Sequence, residues 1–252
     1  MADKVDEMTF WDHLDELRGT LIRSFAAVLV LTSIGLVFRD WLFAVIMAPT
    51  KTGFFIHSFL RLPQDIDVVN LEISGQFMTH LRASLMLGFV ASFPYILWEL
   101  WKFIAPALYD KEKRGVRKAF LLSSGLFYCG VAVGYFILLP VCLAFFQGYT
   151  VSDSVLNQFS LSSYMSMFFS MVVLIGIVFE FPVLIMILSS MGILTAGTLK
   201  SGRKYAFVVI LILSALVTPA DIGSMIIVAV PLYALYELSI LLSKTDKSDI
   251  NQ

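Results

Sequence analysis

Two carboxylates lie inside stretches that are otherwise apolar, and they set the first question about chemistry. Glu180 stands in Phe179-Glu180-Phe181-Pro182, past the middle of a long hydrophobic run. A charge at that depth in a bilayer costs ~2.5–3.5 kcal/mol on insertion scales, so such an acid faces a bundle interior and has a role. Glu99 stands in Leu97-Trp98-Glu99-Leu100, nearer the end of another run, where a long side chain can snorkel to water. A pair of intramembrane acids is the equipment of a proton-coupled secondary transporter, and Glu180 with Glu99 keeps that alternative open. Such transporters usually carry internal repeats and broken helices at the midplane, and no repeat is visible here.

Two segments outside the runs carry a different chemistry. Residues 1–18 hold Asp3, Asp6, Glu7, Asp12, Asp15 and Glu16 against only Lys4 and Arg18. Phe10, Leu14, Leu17 and Leu21 recur at helical spacing with Trp11 beside them, the pattern of an interfacial amphipathic helix. A segment beside an anionic membrane face normally leans basic, so this acidic face is either plainly solvated or a site for a cationic partner. The second segment, Trp101 to Arg114, sets large apolar side chains and Pro106 among charges. An apolar cluster in that setting marks a binding surface or a membrane-interface anchor. Glu112 stands there among bases, where an ion pair contributes little. The remaining polar residues are plainer: Arg82 snorkels at the outer start of a run, Glu237 is interfacial, and His57 and His80 have no partner spacing.

Catalytic signatures are missing. The chain has no G-x-x-x-x-G-K-[ST] phosphate loop, no metal-ligand spacing and no nucleophile paired with a histidine, so the reading is a binding and gating protein without a cofactor, not an enzyme. A net charge of −1 argues against nucleic acid as a partner. Cys129 and Cys142 fall in one run; as one helix it separates them by ~20 Å, too far for a disulfide.

The elements that hold these residues are membrane spans. Of 252 residues, 58% are hydrophobic and 15% charged, against about 45–50% and 25% in soluble domains. Six apolar runs are expected as spans: residues 21–38, 81–100, 119–146, 164–191, 205–217 and 222–242. The fifth is short for a bilayer core of ~30 Å. Lys102, Lys111, Lys113, Arg114, Arg117 and Lys118 crowd the second connection, and Lys200, Arg203 and Lys204 the fourth, whereas the connections at 147–163 and 219–221 hold no Lys or Arg. The basic connections are therefore cytoplasmic, and an even number of spans puts both termini there too. Pro94, Pro140, Pro182 and Pro231 fall in or at the ends of spans and predict kinks and a curved bundle. The expected fold is all-α: a single six-span domain over 1–252, with a cytoplasmic amphipathic helix at 1–20, a first outer loop at 39–76, a first cytoplasmic loop at 101–118 and a cytoplasmic tail at 243–252.

At this point the chain resembles a known family. His13-Leu14-Asp15-Glu16-Leu17-Arg18-Gly19-Thr20-Leu21 is similar to the N-terminal signature of TatC, the multispan subunit of the twin-arginine protein translocase. Phe103-Ile104-Ala105-Pro106-Ala107-Leu108-Tyr109 with Glu112 resembles its first cytoplasmic loop, and Phe179-Glu180-Phe181-Pro182-Val183 its fourth span. Thr218-Pro219 with Asp221 resembles the turn between its last two spans, and Ala48-Pro49 its first outer loop. The resemblance implies a concave, glove-shaped bundle in the bacterial cytoplasmic membrane. It implies a receptor for signal peptides with two consecutive arginines on folded cargo, driven by the proton gradient, with TatA-like and TatB-like single-span partners and a homo-oligomeric assembly. Glu16 and Glu112 would form the acidic patch, and Arg18, Phe103, Pro106, Leu108 and Tyr109 would shape it. Glu180 would be the polar group of the concave bundle, and Leu216, Val217 and Thr218 would dock a partner helix. Pro49 and Asp221 would be structural, Asp221 as a helix N-cap. The sequence departs from the pattern at Gly19-Thr20, where a second basic residue is expected and Arg23 is the next available, and at Glu99, where an amide such as Gln is expected.

Overall fold

The computed structural model describes residues 10–51, 53–54, 65–105, 110–152, 157–190, 193–218 and 222–242. From Phe10 on, the acidic segment and the first apolar run form one helix, α1 (Phe10–Val37), of 28 residues. The described part of the expected amphipathic helix, Phe10 to Thr20, is therefore continuous with the first span. Nothing in Arg18-Gly19-Thr20 breaks a helix, since a lone interior glycine costs only about 1 kcal/mol, and Thr20 is fully buried. After Phe38 a short helix α2 (Arg39–Met47) leads into a tight turn at Ala48–Thr50 with Pro49 at its start. The second long helix, α3 (Gly75–Ile104), begins six residues before the apolar run and carries Pro94 inside it.

The third span joins α4 (Asp110–Val133) through a π-helical turn, Gly134–Leu138, to α5 (Leu139–Gly148). The fourth joins α6 (Leu161–Phe169) through a second π turn, Ser170–Leu174, to α7 (Ile175–Val178) and then α8 (Phe181–Ser190). A short α9 (Ala196–Ser201) precedes α10 (Arg203–Val217) and α11 (Ile222–Leu242), the last with Pro231 inside it. Five of these continuous helical stretches are long and apolar enough to cross a membrane. The remaining apolar helix, α10, which holds the fifth run, has 15 residues and reaches ~22 Å at 1.5 Å per residue. Pro140 follows one π turn, and Pro182 follows the break at Phe179–Glu180, but the π turn at Ser170–Leu174 contains no proline.

Packing follows from small residues and rings. α1 lies along α3, and Gly88 is where they approach most closely: a Cβ there would collide with the Thr32 side chain and come within 2.7 Å of the Val28 carbonyl. α4 is held to α3 by Phe93 and Phe127, stacked with centroids 3.5 Å apart. Where the third and fourth spans cross, Gly134 faces the Met171 backbone, and Leu139, Leu143, Tyr164, Phe168, Met171 and Ile175 are buried around it. Outward-facing residues are large and apolar, among them Phe25, Val30, Phe207, Ile212, Ile226 and Val230, as expected where lipid tails are the solvent. Hydroxyls in the helices return to their own backbone: Thr32, Ser33, Ser214, Thr218 and Ser239 each donate to the carbonyl four residues earlier.

One pairing ties two connections together. β1 (Val68–Val69), between the first two spans, pairs in parallel with β2 (Phe159–Ser160), between the third and fourth. Ser160 then caps α6, its hydroxyl accepting from the Ser163 amide. Two connections that hydrogen-bond must lie on the same side of the membrane, which agrees with an even count of spans between them.

Candidate functional site

Glu16, Gly19, Thr20 and Arg23 fall on one face of α1, three, four and seven residues apart, and this face meets the end of α3. Arg23 Nε donates to Glu99 Oε2 at 2.6 Å, and Lys102 Nζ donates to Glu99 Oε1 at 3.0 Å. The Arg23 guanidinium also reaches the Thr20 hydroxyl at 3.3 Å and lies 3.5 Å from Glu16 Oε1. Glu99 is enclosed, with 1% of its side chain exposed, whereas Glu16 and Arg23 are close to half exposed. Glu99 therefore does not snorkel to water: two cations come to it instead. Below this cluster His13 stacks on Phe103, centroids 4.3 Å apart, and Lys102 lies over the Trp98 ring.

Glu180 has different company. It occupies the break in the fourth span, where Pro182 lacks an amide hydrogen and cannot continue the ladder to Val178. Its own amide donates to the Ile177 carbonyl at 3.0 Å, and its carbonyl accepts from Val183 and Leu184. The Ser123 hydroxyl of α4 donates to Glu180 Oε2, while Oε1 is buried without a donor among the described residues. Glu99 and Glu180 thus have separate partners, and a two-carboxylate transport site finds no support in these contacts.

Of the residues expected at a signal surface, Glu16, Arg18 and Phe103 are described; Arg18 is exposed, and Phe103 is half-buried against His13. Pro106, Leu108 and Tyr109 lie outside the described residues, as does Asp221, and Glu112 is described only as part of the α4 backbone. Leu216, Val217 and Thr218 share a 770 Å³ cavity with Tyr164, Ser166 and Ser170 of the fourth span. Leu216 is 73% exposed, whereas Val217 and Thr218 are buried. Pro49 is buried in its turn, where the Tyr164 hydroxyl donates to the Ile46 carbonyl and the Ile66 amide donates to the Thr50 carbonyl at 2.9 Å. Sequence reasoning gave Arg23 no role. Its signal was there, as the one cation inside the first apolar run, a place where a partner carboxylate is required.

The comparisons with known proteins bear on this arrangement. The family described as Sec-independent protein translocase protein (TatC) matches residues 12–231. The chain belongs to the TatC family. Its TatC relatives include those of Blattabacterium sp. subsp. Periplaneta americana, 37% identical with 96% of this chain and 97% of the relative covered, and of Escherichia coli strain K12, 32% identical with 92% and 86% covered. A crystal structure of the twin-arginine translocase receptor TatC superimposes with TM-score 0.75 at 34% identity, covering 91% of this chain and 97% of the other. A second, of TatC in DDM, gives 0.77 at 33% identity, covering 92% and 99%. A TatC chain is a multi-pass integral membrane protein and a transport subunit, not an enzyme.

Proposed function

We propose that this chain is the receptor and scaffold of a twin-arginine translocase in a bacterial cytoplasmic membrane. It spans the membrane six times with both termini in the cytoplasm, and the α1–α3 end carrying Glu16 faces newly made precursors. The observation that carries this reading is the half-exposed Glu16 carboxylate on α1, one helical turn from His13, which stacks on Phe103. A guanidinium is a planar fork that bonds a carboxylate bidentately, which an ammonium cannot do. Glu112, with Arg18, Pro106, Leu108 and Tyr109, completes the receptor surface. Glu180 is the polar group of the bundle. The cavity beside Leu216, Val217 and Thr218 receives a transmembrane helix of a TatA-like or TatB-like partner, and several copies assemble in the working translocase.

The test is photo-crosslinking of a twin-arginine signal to probes placed beside Glu16 and Glu112. Strong crosslinking that is lost with a twin-lysine signal and in the Glu16→Ala/Glu112→Ala double variant is expected. Equal crosslinking by the lysine signal would sink the reading.

A further inference from the structure

Arg23 stands where an arriving guanidinium would have to go. It shares a face of α1 with Glu16, two turns away, and its NH2 is 3.5 Å from the Glu16 carboxylate. The guanidinium packs close over Gly19: a Cβ there would stand 3.0 Å from Arg23 NH1 and require it to shift by a few tenths of an ångström. Its tighter contact is inward, with Nε 2.6 Å from the enclosed Glu99, whose other oxygen is held by Lys102 at 3.0 Å. Two carboxylates and two cations therefore close into a set with no net charge.

We propose that Arg23 is an internal competitor for Glu16 and so a specificity-determining residue for the guanidinium ligand; this rests on Glu16 being a receptor carboxylate. In the empty protein Arg23 divides itself between Glu99 and Glu16, and Glu16 is already partly neutralised. A ligand that takes Glu16 displaces only the longer contact. Arg23 then falls wholly to Glu99, and no charge is stranded in an apolar place. The exchange discriminates because the incoming group must outmatch a fixed guanidinium. A second fork, bonding bidentately, does so; an ammonium, offering a point charge, is held back.

The experiment uses the full-length protein in nanodiscs, titrated with labelled peptides carrying two consecutive arginines or two consecutive lysines. The Arg23→Gln/Glu99→Gln double variant removes the competitor, leaves a neutral amide pair able to hydrogen-bond in its place, and releases the half-exposed Lys102 to water. It is expected to bind the twin-arginine peptide about two- to five-fold more tightly, the scale of a half-exposed ion pair. It also gains more for the twin-lysine peptide, so the ratio between the two narrows. Arg23→Gln alone leaves Glu99 paired with Lys102 and moves affinity in the same direction; it decides the matter should the double variant fail to fold. Unchanged or weaker binding would show that Arg23 merely holds Glu16 in place, and the proposal fails. Wild-type protein that binds both peptides alike, or that is indifferent to Glu16→Gln, overturns the receptor reading itself and the competitor with it.

Discussion

Glu99 and Glu180 are the same side chain set in two helices of one membrane protein, and the fold treats them in opposite ways. Glu99 near the end of α3 has drawn in two cations, Arg23 from α1 and Lys102 from its own helix, and both its oxygens are taken. Glu180 in the fourth span has one hydroxyl, from Ser123, and among the described residues no donor for its other oxygen. Depth accounts for the difference. Near a helix end, long cationic side chains can reach the acid while keeping contact with water, whereas further in each added charge must be removed from water entirely. The first acid is consumed by the architecture and pins α1 to α3. The second retains an acceptor that a visiting group could use.

The contrast can be broken by substitution. Glu99→Leu deprives two cations of their partner at once and should have the largest effect, lowering the melting temperature in detergent by roughly 10 °C; a change near zero would mean the pin is ornamental. Glu180→Gln keeps an acceptor for Ser123 and should leave that melting temperature in place, while Ser123→Ala costs about 1 kcal/mol by thermal denaturation. If Glu180→Gln is as damaging as Glu99→Leu, the two acids are not the contrasting pair described. The smallest effect belongs to a separate ion pair, Arg203 with Glu237 at 2.7 Å between α10 and α11, where both partners are partly exposed. Arg203→Gln should shift melting by no more than about 2 °C, and 0.5 M salt should erase the difference.

The helices were legible in sequence because a span needs about 17–25 apolar residues and leaves an unmistakable trace. Even the short run at 205–217 corresponds to a real helix, Arg203–Val217. Their internal irregularities were not. Pro182 announces the break at Glu180, but the π turn at Ser170–Leu174 has no proline to announce it, and a shifted ladder there depends on what packs alongside, notably Gly134 against Met171. The position of the helix start at Gly75 was hidden as well, since its first turns are polar enough to read as loop. At the candidate site the acidic character around Glu16 was visible because a segment flanking a membrane span on the expected cytoplasmic side normally leans basic. The union of Arg23 with Glu99 spans 76 positions, and it appears only once the register of α1 on α3 is known. That register depends on Gly88 admitting the α1 backbone, which no local pattern encodes.

The contacts that set this register, His13 with Phe103, Arg23 with Glu99 and Thr32 with Gly88, all lie between residues 13 and 104. A nascent chain that has cleared the ribosome as far as Ile104 already contains every atom they require. α1 and α3 can therefore mate as a hairpin during synthesis, giving the later spans a formed pair to pack against.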